Sequence, residues 1–224
     1  MFSVGVRSEA LATSMRKAVP CATQSGFCNV FVNPGYTSDQ IKRPLFEFIP
    51  TTIDGCYEIR PRVMSDHRGT FSKLFHSNTF IEKIGVDLRI HEVLFSSSNK
   101  GVLRGLHFQA SPKSTAKLVA CLSGDIFDAV VDLRPKSPTY LKTFSTRLSG
   151  DKDTMIYIPE GLAHGFYAYE DNSTILYMTS GVFSPEHDSG IHWNSAGIEW
   201  PDPNPIISDR DQNLVRLEGF DNPF

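Results

Sequence analysis

Arg104, His107 and Lys117 are ionisable side chains set among apolar, strand-forming neighbours. The first two lie in Gly101-Val-Leu-Arg-Gly-Leu-His-Phe-Gln109, and the third opens Lys117-Leu-Val-Ala-Cys-Leu-Ser123. A charge in such surroundings is costly unless it is paired or lines a wet cavity. Tyr177 stands in Ser173-Thr-Ile-Leu-Tyr-Met-Thr-Ser180, where strand alternation puts Ile175, Tyr177 and Thr179 on one face. His164, in Ile158-Pro-Glu-Gly-Leu-Ala-His-Gly-Phe166, sits at a turn-to-strand junction. Each has a structural reading of its own: a satisfied core histidine, a core tyrosine with a bonded hydroxyl, a solvated strand-end lysine. As a set, His, Tyr and Lys are the side chains of proton transfer.

Other chemistries find less support. The chain has no His-x-His pair, and His187 and His192 are five apart in a polar loop, so only a scattered three-ligand metal site is left open. Glycine-rich phosphate loops and a nucleophile elbow are absent. A formal charge of -3 with 21% charged residues gives no basic surface for nucleic acid. No apolar run approaches the roughly 18 residues of a membrane span. The four cysteines, Cys21, Cys28, Cys56 and Cys121, show no metal-finger or CxxC spacing. Cys121, mid-strand, reads as a buried free thiol. Their pattern points to a reducing, cytoplasmic setting without a disulfide framework.

The elements that must position these residues are short strands. Lys117–Ser123, a Gly124-Asp125 turn and Ile126–Arg134 predict a β-hairpin. Further strands are expected at Pro44–Ile49, Cys56–Arg60, Ile90–Ser96, Val102–Gln109, Leu141–Leu148, Met155–Ile158, Gly165–Tyr169 and Ser173–Ser180. Asp66–Phe71 reads as a polar turn running into a strand. Phe75–Gly85 predicts a helix capped by Asn78, striped by Phe80, Ile81 and Ile84, and stopped by Gly85. Strands spaced near ten residues with little helix argue an all-β sandwich or barrel, and no longer period repeats.

The two ends differ from this pattern. Residues 1–44 form an N-terminal extension, and 45–224 the compact domain. Met1–Gly26 carries Arg7, Arg16 and Lys17 with Glu9 as its one acid, a balance that fits either an organelle-targeting segment or a loosely docked extension. Asn33–Ser38 reads as a turn-rich linker. From Gly190 to Asp211 the chain is rich in Pro and Asp, so it should wrap the β core as an ordered loop anchored by Trp193 and Trp200.

Seven motifs in order resemble the dTDP-4-dehydrorhamnose 3,5-epimerase family across residues 46 to 211. They are Arg104-Gly-Leu-His-Phe-Gln109, Lys117-Leu-Val119, Gly124-Asp-Ile-Phe-Asp128, Val131-Asp-Leu-Arg-Pro-Lys-Ser-Pro-Thr139, Ile158–Phe166, Gly190-Ile-His-Trp-Asn194 and Ile207-Ser-Asp-Arg-Asp211. The resemblance implies a cupin double-stranded β-helix, or jelly-roll, barrel with short peripheral helices. It also implies a metal-free site without cofactor, a homodimer, and a nucleotide-linked 4-keto-6-deoxy sugar as substrate. By motif position His107 is the base, Asp211 its carboxylate partner, Lys117 the cation at the enolate oxygen and Tyr177 the acid. Arg68 and Arg104 would hold the diphosphate, and Phe71, Glu92, His164, Asp188 and Arg210 fall at further substrate-binding positions.

Three departures bear on the substrate. Glu92-Val-Leu-Phe-Ser96 replaces the family's Gln-Asp-Asn-His, Lys73 replaces a glutamate, and Val182-Phe183 replaces paired tyrosines. They fit an epimerase working on a GDP- or CDP-linked sugar, or one inverting a single carbon. A non-catalytic sugar-nucleotide-binding cupin and a metallocupin are the rivals from other classes. Finally, Arg104 and His107 are three apart, so a regular strand would put them on opposite faces. Both can face one cavity only if the strand bulges or kinks, and Gly105 is the place for it.

Overall fold

The computed structural model describes residues 19–21, 28–30 and 44–224. Strands β1 (Val19–Cys21) and β2 (Cys28–Val30) pair antiparallel. The rest of the extension read over residues 1–44, with its targeting and linker readings, lies outside the described residues up to residue 43. The body then runs β3 (Phe46–Pro50), β4 (Tyr57–Pro61), β5 (Val63–Asp66), β6 (Gly69–Ser72), the helix Ser77–Ile84 and β7 (Glu92–Ser98). It continues with β8 (Leu103–Gln109), β9 (Lys117–Ser123), β10 (Asp125–Asp132) and β11 (Thr143–Ser149). After these come β12 (Met155–Ile158), β13 (Leu162–Ala168), β14 (Ser173–Thr179) and β15 (Asp188–Gly190).

These strands build two facing antiparallel sheets of a cupin-like jelly roll, which stay open rather than closing. One has the order β11-β10-β13-β8-β15 and the other β3-β4-β12-β9-β14-β7. Strand periodicity sorts the side chains into layers. On β9, Val119 and Cys121 point between the sheets with Ile156 and Ile175, and meet Ile126, Val130 and Phe166 from the other sheet. Leu118 and Ala120 point out, under Phe46 and the helix residue Phe80. The outer face of the five-stranded sheet, Leu106, Phe108 and Val131, is covered by the C-terminal chain through Ile191, Leu217 and Phe220.

The hairpin expected at Gly124 is not formed. β9 has β12 on one edge and β14 on the other, while β10 pairs with β11 and β13. Both edges of β9 are taken and both its faces are buried, so the chain at Gly124 crosses to the opposite sheet. Gly124 suits that corner, since its φ is +78° and a Cβ would lie 2.5 Å from Ser173 Oγ.

The helix forms where its apolar stripe predicts, but His76 and not Asn78 stands at its N-cap. Ser77 already has helical backbone, which leaves Asn78 inside the first turn. Gly85 ends it in the left-handed conformation, its amide donating to Ile81 O. Phe80, fully buried among Phe46, Phe48, Phe75 and Tyr157, anchors the helix on the sheet. Burial of one such side chain stabilises by about 1.5–3 kcal/mol. The C-terminal segment wraps the core as expected: Leu106 and Ile191 exchange backbone hydrogen bonds, and Trp200 Nε1 donates to Trp193 O at 2.9 Å. Among the described residues no helix is long and apolar enough to cross a membrane.

Candidate active site

One end of the space between the sheets is packed and the other is open, as a cavity of about 920 Å³. The same alternation that buries the core aims polar side chains into it. Lys117 shares its face of β9 with Val119 and Cys121, Tyr177 shares its face of β14 with Ile175, and His164 lies between Leu162 and Phe166 on β13. His107 is directly opposite His164 in the β8–β13 register. His107 and His164 thus come from the five-stranded sheet, and Lys117 and Tyr177 from the six-stranded one.

The irregularity expected at Gly105 is present. From Arg104 to His107 β8 takes three steps while its partner β13 takes two, from Phe166 to His164. Gly105 has φ +132°, the peptide to Leu106 is cis, and a Cβ here would sit 2.6 Å from Gly165 Cα. The shift brings Arg104 and His107 to the same cavity despite their odd spacing.

Asp211 completes a dyad. Its Oδ1 lies 2.7 Å from His107 Nε2, and its Oδ2 accepts the Gly105 amide at 3.2 Å. It is held by the short helix Asp209–Gln212, where the Ser208 hydroxyl caps the Asp211 amide. Burial pushes the Asp211 carboxyl up, but the hydrogen bond and charge of His107, with the Gly105 amide and Arg210, bring it net below its ordinary value. The carboxylate keeps one ring nitrogen as a donor and so leaves the lone pair on the other, the state a general base needs.

On the facing sheet burial lowers the Lys117 ammonium to about 8, against the pull of Asp188 and Asp128. Burial likewise pushes the Tyr177 phenol well above its usual value, opposed by Ser96 and Arg104. The Tyr177 phenol therefore keeps its proton. Arg104 donates from Nε to Ser98 Oγ at 3.1 Å at the cavity mouth. Arg210 pairs with Asp188 at 2.9 Å, and Glu92 accepts the Phe183 amide at 3.1 Å; all of these line the cavity.

Two expected site residues are elsewhere. Arg68 and Phe71 do not line the cavity. They belong to the β5–β6 hairpin, which forms a sheet of its own. The Arg68 guanidinium is held by Asp66 across the turn, and Phe71 is 57% exposed. Three others escaped the sequence reading. Asp128, fully buried, stands 2.8 Å from His164 Nε2 and makes a second His–carboxylate pair. A carboxylate inside the apolar run Ile126–Val131 was signal enough to look for its partner. Ser96, on Tyr177, and Ser98, on Arg104, depend on strand register, which the sequence does not print. Among the described residues no group of three or more His, Cys, Asp or Glu could hold a metal ion. Cys56 and Cys121 are buried free thiols, as read for Cys121.

A jelly roll whose cavity sets a His–Asp pair against a half-buried tyrosine and lysine defines a cupin that holds the groups proton transfer at carbon would use. The family model for dTDP-4-dehydrorhamnose 3,5-epimerase matches residues 50–219. A dTDP-4-dehydrorhamnose 3-epimerase of Streptomyces niveus is 41% identical over 75% of this chain and 82% of its own. A dTDP-4-dehydrorhamnose 3,5-epimerase of Shigella flexneri is 40% identical over 74% and 92%. The crystal structure of a dTDP-6-deoxy-D-glucose-3,5-epimerase of Legionella pneumophila, in complex with dTDP-4-keto-L-rhamnose, superposes with a TM-score of 0.75 at 35% identity, covering 79% of this chain and 95% of that one. The chain belongs to the dTDP-4-dehydrorhamnose 3,5-epimerase family, and it is an isomerase, a carbohydrate epimerase.

Proposed function

We propose that the protein inverts C3 and C5 of a dTDP-linked 4-keto-6-deoxy sugar by proton abstraction on one face and reprotonation on the other. The observation that carries this is the placement of His107 and Tyr177 on opposite sheets across a single cavity. The 4-keto group acidifies the protons at C3 and C5. His107, oriented by Asp211, removes one of them as general base. The C4 oxygen takes up the enolate charge beside Lys117, where a fixed cation in a desolvated site is most effective. Tyr177 then delivers its proton to the opposite face and the carbon is inverted. Arg104 and Arg210 supply cations for the diphosphate, Arg by its planar fork, and His164, Glu92 and Asp188 line the remaining walls.

The catalytic unit is residues 45–224, with residues 1–44 an appendage to a cytoplasmic enzyme or its organelle address. It works as a homodimer. Supporting this, the edge strand β7 exposes Val93, Leu94 and Phe95, and Phe71 is exposed on the β5–β6 hairpin. In a dimer Arg68 and Phe71 would reach a substrate through the partner's cavity. A second reading, a 3-monoepimerase or a GDP- or CDP-sugar enzyme, is favoured by Val93 and Leu94 in the cavity wall, where the family's Gln-Asp-Asn-His is polar.

The test is an NMR assay with the dTDP-, GDP- and CDP-linked 4-keto-6-deoxyglucose in turn. Conversion of the dTDP sugar to the doubly inverted product, abolished by His107→Ala, is expected. Conversion of none of the three would overturn the reading.

A further inference from the structure

When Tyr177 gives up its proton it must carry negative charge on a half-buried side chain. Its hydroxyl has one hydrogen-bond partner among the described residues, Ser96 Oγ at 3.4 Å. Strands β7 and β14 run antiparallel with Leu94 opposite Tyr177 and Ser96 opposite Ile175. Ser96 is thus the diagonal neighbour of Tyr177 on the same face, a separation that an aromatic side chain spans. It is half-buried and lines the open cavity. Two residues along the strand, Ser98 Oγ holds Arg104.

We infer that Ser96 is a positioning residue for the acid: it orients the Tyr177 hydroxyl before transfer and donates to the phenolate after it. The inference rests on Tyr177 being the acid. The Tyr177 O–H bond breaks as the new C–H bond forms at the enolate carbon, and the electron pair left on the phenolate oxygen is held by the Ser96 O–H. Ser96 then passes its proton to the phenolate and takes one from cavity water. The proton that His107 acquired returns to solvent, so charge balances over the turnover. A separation of 3.4 Å is long for neutral hydroxyls and closes when the acceptor becomes an anion. Burial of the phenol makes this donor matter more, since few other groups oppose the desolvation of the phenolate.

Ser96→Ala, Ser96→Thr and Tyr177→Phe would be compared with wild type on dTDP-4-keto-6-deoxyglucose in D₂O. Two quantities are read by NMR: deuterium entering substrate that keeps its configuration, and inverted product. Loss of a hydrogen bond to a charged group predicts that Ser96→Ala slows inversion about 10- to 100-fold. Exchange with retention, which does not use Tyr177, stays within about twofold, and Ser96→Thr restores inversion. Unchanged inversion in Ser96→Ala overturns the inference, and so does an equal fall in exchange and inversion, which would make Ser96 merely structural. If Tyr177→Phe inverts like wild type, Tyr177 is not the acid and both readings fall. If it stops inverting while Ser96→Ala does not, only the role of Ser96 is lost.

Discussion

Asp211 holds the His107 ring with one carboxylate oxygen, at 2.7 Å, and the backbone of Gly105 with the other, at 3.2 Å. A single side chain from the C-terminal wrap therefore fixes both the His107 imidazole and the irregular strand that aims it.

Replacing Asp211 with Asn keeps the shape but no longer holds the imidazole in its working state. The expected result is a fall in kcat of about 10²- to 10⁴-fold with KM little changed. Steady-state kinetics beside a circular dichroism spectrum of the variant would check it. Loss confined to KM would contradict the dyad.

Lys117 makes activity and stability move in opposite directions at alkaline pH. Its folded value is lowered to about 8 by burial, from an ordinary 10.5. The cation at the enolate oxygen is lost as pH rises through about 8, so kcat falls there. Between about 8 and 10.5 the unfolded chain binds more protons at this group than the folded one, so its contribution to stability rises with pH. Paired pH profiles of kcat and of the urea midpoint, for wild type and Lys117→Met, would show the alkaline arm of each lost in the variant.

Gly105 tolerates no side chain. A Cβ would meet Gly165 Cα at 2.6 Å and His164 O at 2.9 Å, at a φ of +132°. Gly105→Ala should lower stability by roughly 2–4 kcal/mol, measured by urea denaturation, and misplace Arg104 relative to His107.

Asp132 offers a control away from the cavity. Fully buried, it accepts from Arg134, Ser137 and Thr139. Burial alone would raise its carboxyl, but these donors hold it down at about 2. Its contribution is complete above its unfolded value near 4 and is lost as pH falls through about 2. Asp132→Asn should cost about 3–5 kcal/mol and leave the kcat of the folded protein unaltered, as urea titration and kinetics at neutral pH would show.

Much of this site was legible in the chain because strand periodicity is strict. The odd spacing of Arg104 and His107 conflicts with a two-residue repeat, and a glycine between them located the bulge. Lys117 and Tyr177 fell on inward faces by the same counting. Pairing partners are a different matter. The turn at Gly124 looks local, yet the apolar runs flanking it are buried on both faces and belong to different sheets. Ser96 meets Tyr177 through a long-range register, and Arg68 and Phe71 sit on a separate hairpin, so motif position alone could not place them.

The most direct measurement is deuterium incorporation from D₂O into dTDP-4-keto-6-deoxyglucose, followed by NMR, with His107→Ala and Tyr177→Phe alongside wild type. Label at C3 and C5 of inverted product is expected in wild type. Label without inversion is expected in Tyr177→Phe, and none in His107→Ala. Label in His107→Ala at the wild-type rate would show that the proton leaves by another route, and the two-sided proton transfer across the cavity would be wrong.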